Sequence, residues 1–135
     1  MPTLQACQRE PGRTTVYIHI YDESSRLGAV ALRQALQAAA DASLVVAPVE
    51  NVTRGADLRQ QRRPVAWPKP TLVLHDPSSR DCARAMVRYI GAPWLSAGDA
   101  DPVSVRDLPR SMQAQPGVIE LWLPPTDVTT SEKGP

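Results

Sequence analysis

The chain has 135 residues, a formal charge of +1 and 21% charged residues, which is the size and composition of one soluble domain. The near-neutral balance gives no reason to expect a strongly acidic or basic partner. Arginine supplies 13 of the 15 basic residues, and arginine favours two-point contacts with carboxylate or phosphate groups, although a GC-rich genome produces the same excess without any function.

Both ends of the chain are rich in proline, glycine and polar residues. Residues 1–13 and 124–135 are therefore predicted to be flexible tails around one α/β domain at 14–123. Cys7 falls in the first tail and Cys82 in a helical pattern, so we expect two free thiols, with Cys82 buried. The sequence shows no membrane span and no secretory signal. These features predict a soluble chain, either cytoplasmic or an excised domain of an exported protein.

The first predicted unit is a strand followed by a helix. Residues 15–21 (TVYIHIY) alternate between two kinds of side chain, which is typical of a strand. Asp22 can cap the amphipathic helix that follows, which reaches about residue 40. A second strand at 44–50 contains Pro48, which places it at a sheet edge. On the first strand Val16, Ile18 and Ile20 form one face, and Tyr17, His19 and Tyr21 form the other.

A basic loop at 51–70 separates this unit from a second one. Residues 71–75 (TLVLH) predict a third strand, and Asp76 with the following proline predicts the start of a helix that reaches about Ile90. That helix is expected to bury Cys82 and Met86. A short strand near 103–105 and a last strand at 118–123 (VIELWL) complete the domain. The basic side chains of the loop are Arg54, Arg59, Arg62, Arg63 and Lys69.

The two strand–helix junctions repeat. Residues 18–26 (IHIYDESSR) and 72–80 (LVLHDPSSR) share the pattern D-x-S-S-R after an apolar strand, which indicates a duplicated βαβ plan. We expect a split βαβ, ferredoxin-like two-layer sandwich, with a four- to five-stranded sheet and two helices on one face. The aspartate and serines of the repeat favour helix capping. The alternative is a phosphate or carboxylate site formed by the free N–H groups of the helix, the serine hydroxyls and the arginine.

Three stretches also resemble the C-terminal accessory domains of the LytR type, which occur on bacterial envelope and signalling proteins. They are VYIHIYDESSRLGAVALRQAL, LVVAPVENV and TLVLHDPSSRDCARAMVRYI, about 80 of the 135 residues. The chain lacks the Asn-Gly-rich turn that such domains often have after the first strand. The resemblance implies an α/β fold and a non-catalytic role, and it assigns no functional residue.

The face of the predicted sheet that lacks helices is the main functional candidate. The chain has no phenylalanine and enough aliphatic residues for a core, so its six aromatic side chains are available for other roles. With the first and third strands adjacent, Tyr17, His19, Thr71, Val73 and His75 would form one surface, flanked by Trp122. We expect this surface, with Tyr21, to dock a protein partner or a second copy of the chain, as a homodimer.

Two alternatives use the same region. One is an anion, nucleic-acid or glycan binder that combines the sheet aromatics with Arg54, Arg59, Arg62 and Arg63. The other is a small hydrolase that depends on His19 or His75, but the chain has no G-x-S-x-G, H-E-x-x-H or glycine-rich phosphate motif. A metal site would need both histidines and a carboxylate to converge. We therefore expect no enzyme activity, no metal and no cofactor.

Overall fold

The computed structural model describes residues 4–8, 13–40, 43–91, 94, 101–112 and 116–125. Its strands are β1 (Thr14–Ile20), β2 (Leu44–Val46), β3 (Glu50–Asn51), β4 (Thr71–Leu74), β5 (Ser104–Asp107) and β6 (Val118–Leu123). Its helices are α1 (Arg26–Ala40), α2 (Val52–Leu58) and α3 (Arg80–Val87). No helix in these ranges has the length and apolar character needed to cross a membrane.

The described strands form one mixed sheet in the order β2-β1-β6-β4-β5, and β3 also pairs with β1. Strands β1 and β2 are parallel neighbours joined through α1, and β4 and β5 are parallel neighbours joined through α3. Strand β6 lies between the two units, parallel to β1 and antiparallel to β4. The α/β class is therefore confirmed.

The strand order differs from the expected ferredoxin-like plan, which is not confirmed. That plan makes β1 and β4 neighbours, whereas β6 separates them and the sheet has one strand more than expected. Strand β6 suits a central position because its residues Ile119, Leu121 and Leu123 are fully buried. It also pairs with β1 over six residues, the longest strand pairing in the sheet, so a central position satisfies hydrogen bonds along both of its edges.

The core lies between one face of the sheet and the helices α1 and α3. As predicted, Val16, Ile18 and Ile20 are fully buried in it. The amphipathic helix predicted after Asp22 leaves Leu27 85% exposed, so its packed side is not the one that carries this leucine. In this alanine-rich helix several stripes are apolar enough to pack, and the residues that do pack are Ala29, Leu32, Leu36 and Ala40.

The prediction of two free thiols is wrong, because Cys7 and Cys82 form a disulfide. Both cysteines are buried, and Gln5–Cys7 form a short 3-10 helix that packs against α3. Leu4 is also buried, so residues 4–8 of the predicted N-terminal tail pack on the domain. The burial of Cys82 is confirmed. Of the predicted C-terminal tail, residues 126–135 lie outside the described residues.

Gly28 of α1 packs closely against the ring of Trp94. A Cβ at this position would come within 2.9 Å of the Trp94 ring, which is buried and donates its indole N–H to the Pro124 carbonyl at 3.2 Å. Glycine to alanine normally stabilises a helix interior by about 1 kcal/mol. We expect Gly28→Ala instead to lower the free energy of unfolding by about 1 kcal/mol, because the ring must move.

Urea unfolding of both glycine variants would check this expectation. Gly55→Ala in α2 is the matched control, since its Cβ would meet only the flexible end of Arg59. That variant is expected to keep the stability of the unmodified chain or to gain some. A Gly28→Ala protein that is as stable as Gly55→Ala would contradict the packing of Trp94 on α1.

Candidate ligand-binding cleft

The sheet face opposite α1 and α3 carries a cleft of about 340 Å³. Its floor comes from alternate residues of β1 and β6, which point away from the helices because successive side chains of a strand lie on opposite faces. Residues next to β4 and around α2 complete its walls. The cleft is lined by Tyr17, His19, Glu50, Val52, Arg59, His75, Val118, Glu120 and Trp122.

The position of β6 decides which side chains meet in the cleft. Trp122 is the cross-strand partner of His19, and Glu120 is the partner of Tyr17 on β1 and of Val73 on β4. A carboxylate is thereby placed midway between the two strands that the sequence analysis made neighbours. Trp122, expected at the flank of the face, lies at its centre.

Glu120 connects the two imidazoles of the cleft. Its Oε2 lies 2.5 Å from His75 Nε2, and its Oε1 lies 3.5 Å from His19 Nε2. The indole N–H of Trp122 donates to Oε1 at 3.0 Å. His19 and then His75 hold the pKa of Glu120 down at about 2, although burial would raise it. The carboxylate is therefore ionised at neutral pH.

The Nδ1 atoms of both histidines are buried and have no hydrogen-bond partner among the described residues. His19 Nδ1 lies 3.6 Å from Glu50 Oε1, which is too long for a hydrogen bond. With Nε2 turned toward Glu120 and Nδ1 shielded from solvent, neither ring has a nitrogen in an open position. This arrangement suits a fixed structural pair better than a pair of acid–base catalysts.

The rim of the cleft offers three accessible groups to a ligand. Tyr17 is 41% exposed, and the Glu50 side chain is 52% exposed. Arg59 is exposed, and its Nε donates to Gln61 Oε1 at 3.2 Å. A ring face, an acceptor and a donor therefore surround one concavity.

The prediction that Tyr21 lies on an open surface is wrong. Tyr21 is buried, its ring centroid lies 5.8 Å from that of Trp122, and it forms a hydrogen bond with the Trp67 backbone. Burial raises the pKa of its hydroxyl. The segment at 64–67 lies over this part of the sheet, so the chain itself covers the part of the face around Tyr21, which the sequence analysis expected to be open.

The basic loop contributes one arginine to the cleft. Of the four arginines proposed for binding, only Arg59 lines it. Arg63 instead makes two hydrogen bonds to Asp57, at 2.8 and 2.7 Å. Arg54 is 61% exposed and lies 4.0 Å from Glu23, and Arg62 is exposed. The sequence analysis predicted that several arginines of the basic loop would join the sheet aromatics in one site, and only Arg59 does so.

The D-x-S-S-R repeats have the geometry of helix caps. The side chains of Asp22 and Asp76 accept hydrogen bonds from the backbone N–H groups of Ser24 and Ser78, each at 3.0 Å. Each arginine of the repeat is bound by a carboxylate, Arg26 by Glu23 and Arg80 by Asp107. These contacts support the capping interpretation.

Sequence reasoning missed three groups at this face: Glu50, Glu120 and Trp67. Glu120 carried a usable signal, because it is the only charged residue in the apolar run 118–123, and a charge inside such a run must find partners when it is buried. Glu50 and Trp67 carried none, since their positions depend on how β3 and the basic loop return to the sheet.

Both histidines lie close to Glu120. Within the ranges the structure describes, no group of three or more histidine, cysteine, aspartate or glutamate side chains is arranged to hold a metal ion. The direct contact between His75 and Glu120 leaves no room for an ion between them.

Comparison of the chain with protein-family models, curated proteins and solved structures gave no match. The resemblance to LytR-type accessory domains therefore stays a prediction, and the function has to be argued from the cleft.

Proposed function

We propose that this chain is a non-enzymatic binding module, that the cleft is its binding site, and that its ligand is a neutral, hydroxyl-rich ring such as a sugar. The observation that carries the proposal is the meeting of Tyr17, Glu50 and Arg59 at the rim of one concavity. A sugar packs its C–H face on an aromatic ring. Its hydroxyls donate to a carboxylate and accept from a guanidinium. The volume lies at the lower end of small-molecule sites, about 300–1,000 Å³.

Charge favours a neutral ligand over a nucleic acid. The cleft is lined by two carboxylates, Glu50 and Glu120, and by one guanidinium, Arg59. A phosphate group would meet two carboxylates and a single guanidinium in a partly buried site, where repulsion from a carboxylate is weakly screened. The glycan form of the alternative hypothesis is therefore the one that the cleft supports best.

Shape favours a small ligand over a flat docking partner. A stable protein interface covers about 800 Å² on each partner, whereas residues 64–67 cover the part of the face around Tyr21. The shielded Nδ1 atoms of His19 and His75 also support binding over hydrolysis. A second copy of the chain would give a different result in the experiment below, a molecular mass that depends on concentration.

Titration with simple sugars tests the proposal. Methyl glycosides of glucose, galactose, mannose and N-acetylglucosamine would be added to the labelled protein while NMR shifts of the cleft residues are followed. We expect at least one sugar to bind with an affinity that is nearly constant between 50 and 500 mM salt. Tyr17→Ala and Arg59→Ala are each expected to weaken it about tenfold, because stacking and a charged hydrogen bond each contribute about 1–2 kcal/mol.

Arg62→Ala is the matched control, since this exposed arginine lies outside the cleft and its loss should leave the affinity unchanged. The proposal fails if no sugar binds, or if Tyr17→Ala binds as well as the unmodified chain. A steep loss of oligonucleotide binding with salt would identify the nucleic-acid alternative. A molecular mass that rises with concentration would identify self-association.

The Cys7–Cys82 disulfide bears on the compartment in which the module binds its ligand. Structural disulfides persist in oxidising compartments and are rare in the reducing cytoplasm, and the Cys7–Cys82 bridge is buried between the N-terminal segment and α3. This supports the excised-domain alternative of the sequence analysis, and we propose that the module works in the cell envelope or outside the cell.

A further inference from the structure

A second cavity, of about 230 Å³, lies on the same face of the sheet. It shares two lining residues, Glu120 and Trp122, with the cleft, so the two cavities are adjacent. Its remaining lining residues are Tyr21, Pro64, Val65, Trp67, Val73 and Leu108.

The walls of this second cavity are fixed by contacts of their own. The Arg106 guanidinium of β5 lies 4.7 Å from the centroid of the Trp67 ring, within the range of a cation–π contact. The Trp67 backbone is hydrogen-bonded to Tyr21, and the preceding loop is bound through Arg63 to Asp57. The cavity is thus preformed, which reduces the entropy cost of filling it.

The chemistry of the second cavity is apolar and aromatic. Tyr21, Trp67 and Trp122 supply three ring walls, and Val73 forms a buried floor. Glu120 is the one ionised residue in the lining, and both of its oxygens face the imidazoles and the Trp122 indole. Val65, at the mouth, is 89% exposed.

We infer that this cavity is a subsite for an apolar group attached to the ring held in the cleft, so that the ligand class is a sugar bearing an aromatic substituent. The inference rests on the proposed function and adds the second half of the ligand. Because Glu120 and Trp122 line both cavities, the two are neighbours, and a substituent in the second cavity would lie next to the sugar in the cleft. Size agrees, since a dry apolar cavity of about 150 Å³ already accepts benzene.

Matched pairs of glycosides test the subsite. Binding of the methyl and phenyl β-glycosides of glucose and of N-acetylglucosamine would be measured by NMR, with the indole N–H signals of Trp67 and Trp122 as reporters. We expect the phenyl form of the bound sugar to bind about tenfold more tightly than the methyl form, because burying the phenyl ring removes its apolar surface from water. Only the phenyl form should shift the Trp67 signal.

Two valines of the same face provide matched variants. Val73→Phe fills the second cavity and is expected to abolish the preference for the phenyl form while methyl glycoside binding is kept. Val118→Phe fills the cleft and is expected to weaken both forms. Val65→Glu puts a charge at the exposed mouth without altering the core, and should reduce the phenyl preference even if Val73→Phe fails to fold.

The possible results separate the two proposals. Equal binding of the methyl and phenyl forms overturns the subsite and leaves the sugar-binding cleft in place. A phenyl preference that survives in both Val73→Phe and Val65→Glu also overturns the subsite. Absence of binding by every glycoside overturns the proposed function, and the subsite with it.

Discussion

Reduction of the Cys7–Cys82 disulfide is expected to lower the free energy of unfolding by about 4 kcal/mol. The bridge joins residues 75 apart in the chain, and closing a loop of that length removes much of the conformational freedom of the unfolded state. The reduced protein also loses the anchor of the buried residue Leu4. Because domains of this size are stable by about 5–15 kcal/mol, the loss is large enough to bring the domain close to unfolding.

Urea unfolding with and without dithiothreitol would measure this effect. The double variant Cys7→Ala with Cys82→Ala is the control, because it should have the lower stability in both conditions. Limited proteolysis should in addition cut the segment 4–8 in the reduced protein and spare it in the oxidised one. Equal unfolding midpoints for the oxidised and reduced chains would show that the bridge contributes nothing to stability.

The fold class could be read from the sequence because its evidence is local. The alternation in β1, the caps at Asp22 and Asp76 and the spacing of Cys82 and Met86 are each decided by neighbouring residues. Strand order is not local. Residues 118–123 do not indicate which strands they will pair with. The position of β6 between β1 and β4 depends on how all the strands pack together in the sheet.

The sequence also predicted part of the candidate site, namely which side chains of β1 point away from the helices. Alternation placed Tyr17 and His19 on the face away from the helices, where the structure has them. The partner of the two histidines could not be chosen without the register of β6, and the cover over Tyr21 could not be foreseen from a loop identified by its charge alone. The disulfide was missed for the same reason. The partner of the histidines, the cover over Tyr21 and the disulfide all depend on contacts between distant parts of the chain.

Glu120 is expected to control the acid stability of the domain. Its pKa falls from an ordinary value of 4.5 to about 2 because His19 and His75 bind the ionised form. A depressed carboxyl pKa stabilises the folded state above the unfolded pKa, and the contribution disappears as the pH falls through the folded pKa. The contribution should therefore be complete above about pH 5 and lost near pH 2. Its size is about 3 kcal/mol, since each pKa unit corresponds to about 1.4 kcal/mol.

The variant Glu120→Gln isolates this contribution. It keeps the side-chain shape and removes the charge, so we expect it to be less stable than the unmodified chain by about 3 kcal/mol at pH 6 and equally stable near pH 2. Urea unfolding at steps between these values would trace the difference. Glu50→Gln is the matched control, because that half-exposed carboxylate lies 3.6 Å from His19 Nδ1 and should change stability little. A constant difference between Glu120→Gln and the unmodified chain at every pH would mean that packing, and not the charge between two imidazoles, explains the presence of a carboxylate at this position.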